Sequence, residues 1–88
     1  MSEVAVLFRL MPSGVDTDMK SMAETARTSL PNGVTVRGMQ VKDIAYGLRA
    51  LLISAVMPDR GGVLEATEAA LAKVPHVESV EVLEEGLI

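Results

Sequence analysis

The segment GLRALLISAVM, residues 47–57, constrains the fold of this chain more than any other part of the sequence. Apart from Arg49 and Ser54, it is apolar at every position along both alternating faces after Gly47. A strand with this pattern is buried on both sides, which places it in the centre of a sheet rather than at an edge. Any fold proposed for the chain must therefore supply this segment with neighbours on two sides.

The preceding segments have a change of hydrophobic period. In residues 3–11 the apolar side chains alternate as in a strand, and Pro12 followed by a Ser13–Gly14 turn ends it. From Asp16 the spacing becomes helical, with Asp16 or Thr17 as the predicted N-cap and Asp18 favourably placed for the helix dipole. The helical stripe contains Met19, Met22, Ala23, Ala26 and Leu30.

The remaining segments complete a recognisable order. The patterns predict two polar strands suited to sheet edges, at residues 34–42 and 77–85. They also predict a second helix at residues 63–74, which Pro75 ends. The order is strand, helix, strand, strand, helix, strand, with the first and third strands the most apolar. This favours an α+β ferredoxin-like split βαβ sandwich, in which a four-stranded antiparallel sheet carries both helices on one face. We expect residues 4–10 and 48–56 at its centre, with 34–41 and 80–83 at its edges.

Composition limits the number of domains and the chemistry. Eighty-eight residues are expected to form a single domain, residues 1–88. Only Phe8 and Tyr46 are aromatic, so the core must be mainly aliphatic, and the methionines of the first helix and third strand are expected to fill it. The absence of cysteine excludes disulfides and thiolate sites, and with a single histidine we expect neither a metal nor a cofactor.

Charge distribution argues against polyanionic partners. The net charge is −4, and residues 61–88 carry one lysine against six glutamates. An acidic third of this kind repels phosphate, so nucleic acid and anionic membranes are not expected partners. The uncharged apolar run 50–57 is too short to span a bilayer, and no secretory signal begins the sequence, which predicts a cytoplasmic protein.

Catalytic groups are hard to find. His76 follows Pro75 in a predicted turn, and no serine has a histidine and an acid arranged for nucleophilic attack. Glu84 and Glu85 are adjacent in a predicted strand, so they point to opposite faces and cannot act as a carboxylate pair. The DRGG segment, residues 59–62, offers helix N-terminal amides for a phosphate, but it completes no known motif and is explained equally by a turn.

The segment DIAYGLRAL, residues 43–51, carries a family resemblance, together with Met11–Pro12, the GG turn, and VESVEV before an aliphatic C-terminal pair. In these features the whole chain resembles archaeal elongation factor 1-beta. The resemblance implies a ferredoxin-like fold and guanine-nucleotide exchange on GDP-bound elongation factor 1-alpha, with nucleotide and magnesium loosened so that GTP can enter. No covalent bond is made or broken in such a role, so the chain is not expected to be an enzyme.

The same resemblance implies which residues contact the partner. The aromatic residue of the motif inserts into an apolar pocket of the second domain of elongation factor 1-alpha, and Tyr46 matches it. Its neighbours Ile44, Ala45, Gly47 and Leu48 are expected to contact the partner as well, with Gly47 allowing close approach of the partner's backbone. The alternative is that Tyr46 caps the open end of the core.

The C-terminus departs from the family pattern, which commonly ends in a basic residue followed by an aliphatic one. Here the corresponding residues are Leu87 and Ile88, and two glutamates precede them. Three interpretations stay open: Arg60 or another basic group approaches the phosphate and magnesium site, exchange proceeds by distortion of the partner's switch region, or the chain exchanges weakly.

Two other functions share this topology. A small-ligand regulatory module of the ACT type would bind an amino acid or similar metabolite between sheet and helix in a dimer, using a glycine turn such as Ser13–Gly14. A less favoured alternative is an enzyme subunit whose active site is supplied by a partner chain.

Overall fold

Four strands and two helices follow one another in the order that the hydrophobic periods predict. The computed structural model describes residues 2–88. The elements are β1 (Glu3–Pro12), α1 (Met19–Ser29), β2 (Thr35–Ala45), β3 (Leu48–Pro58), α2 (Val63–Ala72) and β4 (Val77–Leu87). The strands form one antiparallel sheet in the order β2-β3-β1-β4, which confirms the ferredoxin-like prediction and its two central strands.

The β1–β3 pair forms the centre of the sheet and one wall of the core. Its register runs without interruption from Glu3 opposite Pro58 to Leu10 opposite Leu51. Even-numbered residues of β1 and odd-numbered residues of β3 face the helices, as period-two alternation requires. Together with the buried residues of both helices they form one apolar cluster, which is aliphatic apart from Phe8.

Helix α1 begins later than the sequence predicted, because Asp18 rather than Asp16 or Thr17 is its N-cap. The Asp18 carboxylate accepts hydrogen bonds from the backbone N–H groups of Lys20 at 3.1 Å and Ser21 at 3.2 Å. These bonds satisfy two amides that have no partner within the helix. Donation from the Ser21 backbone, followed by that from the Ser21 hydroxyl, lowers the pKa of the Asp18 carboxyl.

Helix α2 begins after Gly62, whose φ of 89° lies in the region open to glycine. It ends at Ala72, two residues before the predicted boundary, where the backbone tightens and the N–H of Val74 donates to the Leu71 carbonyl at 3.2 Å. Thr67 is a polar residue in the core, and its hydroxyl donates to the Val63 carbonyl at 2.8 Å. The buried hydroxyl is therefore satisfied within its own helix.

The edge strands are longer than the sequence predicted. β2 continues to Ala45 rather than residue 42, and β4 continues to Leu87 rather than residue 85. Both strands are irregular, because Ile44 in β2 and Leu83 in β4 have no opposite partner, and each interrupts the period-two pattern of its strand. Ile44 and Ala45, which lie beyond the predicted end of the second strand, therefore belong to the strand that pairs with β3.

Candidate functional site

The loops of the sheet divide between its two ends. At the end we call the hairpin end lie the β2–β3 turn, the β1–α1 loop and the α2–β4 loop, and the Ser13 N–H donates to the His76 carbonyl there at 2.9 Å. At the opposite end, the terminal end, lie residues 59–62 and the last residues of β4. There the N–H of Ile88 donates to the Glu3 carbonyl at 3.0 Å, which ties the C-terminus to β1.

Tyr46 and Gly47 are the two central residues of the tight turn between β2 and β3. Ala45 and Leu48 form the pair that closes the turn, and φ is 54° at Tyr46 and 80° at Gly47. Positive φ at both central positions is what a type I′ hairpin turn requires, and the favoured sequences there are Asn-Gly and Gly-Gly. Gly47 meets this requirement without strain, whereas a tyrosine in the left-handed region is conformationally unfavourable.

The Tyr46 side chain projects away from the protein. It is 97% exposed, so it makes almost no packing contact with its own chain. The alternative that Tyr46 caps the open end of the core is therefore wrong. An unfavourable backbone conformation that presents a large aromatic ring to solvent contributes nothing to folding, and such features concentrate at functional sites.

Further apolar side chains lie around the turn. Ile44, which has no opposite partner on β3, is 45% exposed, Ala45 is exposed and Leu48 is half-buried. The sequence prediction did not include Val15, which is 60% exposed in the β1–α1 loop. Its Cγ1 lies 3.7 Å from the point where a Cβ on Gly47 would stand. The available signal was one apolar residue among the turn residues of SGVDTD.

The polar residues beside the turn are solvated. Asp43 and Arg49 are opposite one another in the β2–β3 register, and Lys42 is exposed on the same strand. Arg37 is also exposed, as expected for a basic residue on an edge strand. The apolar residues of the hairpin end are thus bordered by charged groups of both signs.

Arg60, Leu87 and Ile88 lie together at the terminal end. Leu87 is opposite Val4 in the register, and Leu87 and Ile88 are each 70% exposed. Arg60 lines an open hollow of about 380 Å³ between the start of α2 and the end of β4, and within residues 2–88 it forms no salt bridge.

The composition of that hollow bears on phosphate binding. Its other charged lining residues are Asp59, Glu65 and Glu85, all acidic. Glu84 and Glu85 are opposite Leu7 and Val6, successive residues of β1, so they point to opposite faces as predicted. Because three carboxylates share the hollow with one guanidinium, this end is poorly suited to hold a phosphate on its own.

The predicted site residues consequently form two groups rather than one. β3 has 11 residues between the ends, which at about 3.3 Å per residue corresponds to roughly 35 Å. The longest dimension of the molecule is 42 Å. A partner that contacts both Tyr46 and the C-terminus must therefore extend along the sheet.

The other candidate residues from the sequence lie at the hairpin end. His76 is exposed in the α2–β4 loop, with a φ of 71°, and within residues 2–88 no three acidic, histidine or cysteine side chains cluster as metal ligands. A hollow of about 370 Å³ beside Ser13 is lined by His76, by Asp16 and Asp18, and by residues that carry hydroxyl groups. In the described part of the chain, neither helix is long and apolar enough to cross a membrane.

Comparison with known proteins identifies the family, which the geometry alone does not. Residues 5–87 match the EF-1 guanine nucleotide exchange domain. The chain is 41% identical over 86 residues to elongation factor 1-beta of Methanococcoides burtonii, covering 98% of this chain and 97% of the relative. It is 40% identical to that of Halobacterium salinarum, with 98% of each chain covered, and 37% identical to that of Archaeoglobus fulgidus, with 93% of each covered.

A likeness to a solved structure concerns the fold alone. The C-terminal domain of the MgtC protein from Mycobacterium tuberculosis superposes with a TM-score of 0.55 at 19% identity, covering all of this chain and 88% of that one. The ligand-binding regulatory module is not favoured, because the domain match and these three relatives indicate elongation factor 1-beta. The match over residues 5–87 and the archaeal relatives of nearly equal length show that this chain belongs to the EF-1 guanine nucleotide exchange domain family and is an exchange factor of translation elongation.

Proposed function

We propose that this chain promotes replacement of GDP by GTP on elongation factor 1-alpha by binding the GDP-bound form and inserting Tyr46 into an apolar pocket. In this proposal residues 1–88 act as a single exchange domain in the cytoplasm. Neither a cofactor, a metal, nucleic acid nor a membrane takes part. The partner and the insertion of the aromatic residue follow from the family resemblance, and the exposed position of Tyr46 supports them.

The observation that carries the proposal is the conformation of Tyr46. Its side chain is 97% exposed on a turn whose φ of 54° disfavours tyrosine. Folding gains nothing from this residue, whereas binding would gain a large ring with few rotatable bonds and a polar hydroxyl at its tip. Aromatic residues with this combination supply much of the affinity at protein interfaces.

Exchange needs no covalent step from the chain, and we therefore infer that it is not an enzyme. A factor that lowers the affinity of its partner for GDP is itself bound less tightly when GDP is present, because coupling between two ligands is reciprocal. The chain thus needs contacts that favour the nucleotide-free partner over the GDP-bound one. Tight binding alone, equal in both states, would release nothing.

The two ends of the sheet suit different parts of this task. The hairpin end, with Tyr46, would hold the partner, while Arg60, Leu87 and Ile88 would approach its nucleotide and magnesium roughly 35 Å away along β3. The carboxylates that share the hollow with Arg60 favour distortion of the partner by contact over attraction of its phosphates.

The test is the rate of fluorescent GDP release from elongation factor 1-alpha. Wild-type chain should accelerate release, and Tyr46→Ala should weaken binding by about 2 kcal/mol, or about 30-fold, with the fold intact. Leu83→Ala is the matched control, since Leu83 is 41% exposed on β4 and has no opposite partner in the sheet. No acceleration by wild type, or equal activity of Tyr46→Ala and wild type, would contradict the proposal.

A further inference from the structure

The β1–α1 loop forms a second turn beside the hairpin. The N–H of Thr17 donates to the Gly14 carbonyl at 3.3 Å, which places Val15 and Asp16 at the centre of a β-turn. A Cβ at Gly14 would stand 3.0 Å from an Asp16 carboxylate oxygen, so a larger residue there would displace the Asp16 side chain by a few tenths of an ångström. The glycine turn that could have marked a ligand site instead shapes the loop that presents Val15.

Val15 is an apolar residue where turns normally carry polar ones. It is 60% exposed, so it does little for the core. Its Cγ1 lies within van der Waals distance of the Gly47 position, 3.7 Å from the point that a Cβ would occupy. Two turns that are far apart in sequence thus lie side by side, one carrying Val15 and the other Tyr46.

The positions of the exposed apolar side chains in the sheet bear on the role of Val15 and Tyr46. Within residues 2–88, most of the large apolar side chains that remain exposed lie at the two ends of the sheet, whereas Val41 and Leu83 lie between the ends. The hairpin end holds Val15, Ile44 and Tyr46, and the terminal end holds Leu87 and Ile88. A continuous apolar surface bordered by charges is the usual form of a protein-binding site.

We propose that Val15 is a second contact residue for elongation factor 1-alpha, and that the Val15 turn and the Tyr46 turn bind it as one apolar surface. The occupant is the same partner, because the Val15 side chain lies against the turn that carries Tyr46; the inference rests on the proposed function. The partner must then present an apolar surface wider than a pocket for a single ring.

The test measures affinity for GDP-bound elongation factor 1-alpha by isothermal titration. Val15→Ser should weaken binding roughly three- to tenfold, less than Tyr46→Ala, because an aliphatic side chain buries a smaller area. Val15→Leu should retain wild-type affinity. Leu83→Ser, which removes an exposed aliphatic group from β4, should change nothing. Thermal melting of each variant verifies that it is folded.

The possible outcomes separate the two proposals. Wild-type affinity of Val15→Ser, beside a weakened Tyr46→Ala, overturns the role of Val15 and leaves the Tyr46 anchor intact. Unchanged affinity of Tyr46→Ala overturns both, since the two residues are proposed to act as one surface. Equal losses in Val15→Ser and Leu83→Ser also overturn the inference, because the effect would then be unspecific to the hairpin end.

Discussion

Replacing Tyr46 by asparagine should make the protein more stable and less active at the same time. The tyrosine is 97% exposed, so its removal costs almost no packing. Its φ of 54° lies in the left-handed region, where an ordinary L-residue costs roughly 1–2 kcal/mol and asparagine costs less. The substitution also creates the Asn-Gly pair that type I′ turns favour.

The expected gain in stability and loss of affinity follow from the backbone strain at Tyr46 and from the loss of its ring. Relief of about half the strain should raise the free energy of unfolding by roughly 0.5–1 kcal/mol. For a domain of this length that corresponds to an increase in Tm of about 2–8 °C. Loss of the ring should weaken binding to elongation factor 1-alpha by about 2 kcal/mol, close to 30-fold.

Two assays on the same preparations test these two effects. Thermal denaturation, monitored by circular dichroism, measures stability, and GDP release titrated against factor concentration measures binding. Tyr46→Ala is the matched variant, because it loses the same ring but gains less from the left-handed conformation. A Tyr46→Asn variant that melts below wild type would show that the ring packs on its own chain. A stabilised variant that binds as tightly as wild type would show that Tyr46 does not contact the partner.

Other predictions concern the termini and the helices. Leu87→Lys should speed GDP release several-fold at saturating factor, since an exposed charge contributes about 0.2–1 kcal/mol. Glu85→Gln should also speed release, and more than Glu84→Gln does, because only Glu85 lines the hollow with Arg60. Unchanged release in all three variants would show that the charge near the C-terminus does not affect exchange. Asp18→Ala should lower Tm at neutral pH. The folded-state pKa of Asp18 is lowered from 3.8, so the stabilisation by its carboxylate is present above that value and is lost as pH falls through the folded pKa. The Tm values of Asp18→Ala and wild type should therefore converge as pH is lowered through this range. A difference in Tm that stays constant with pH would contradict the role of Asp18 as the N-cap.

The sequence by itself determined which segments are strands and helices and which strands are central. Those properties depend on local hydrophobic period, and Phe8 and Leu51 are buried in the central pair as their alternation predicts. The motif around Tyr46 also carried enough information to indicate the family. The predicted N-cap of α1, Asp16 or Thr17, was wrong. Three neighbouring side chains, those of residues 16–18, can each cap a helix, and only the path of the loop selects Asp18.

Tertiary structure alone decided how the site residues are arranged. β2 extended to Ala45 because Ala45 pairs with Leu48 across the turn, with Ile44 left unpaired between the Asp43 and Ala45 pairs. Val15 came to lie beside Gly47 only because the antiparallel sheet brings the end of β1 to the start of β3. The same register sends Arg60 and the C-terminus to the other end. Contacts between residues distant in the chain depend on strand pairing, and no local pattern of side chains records them.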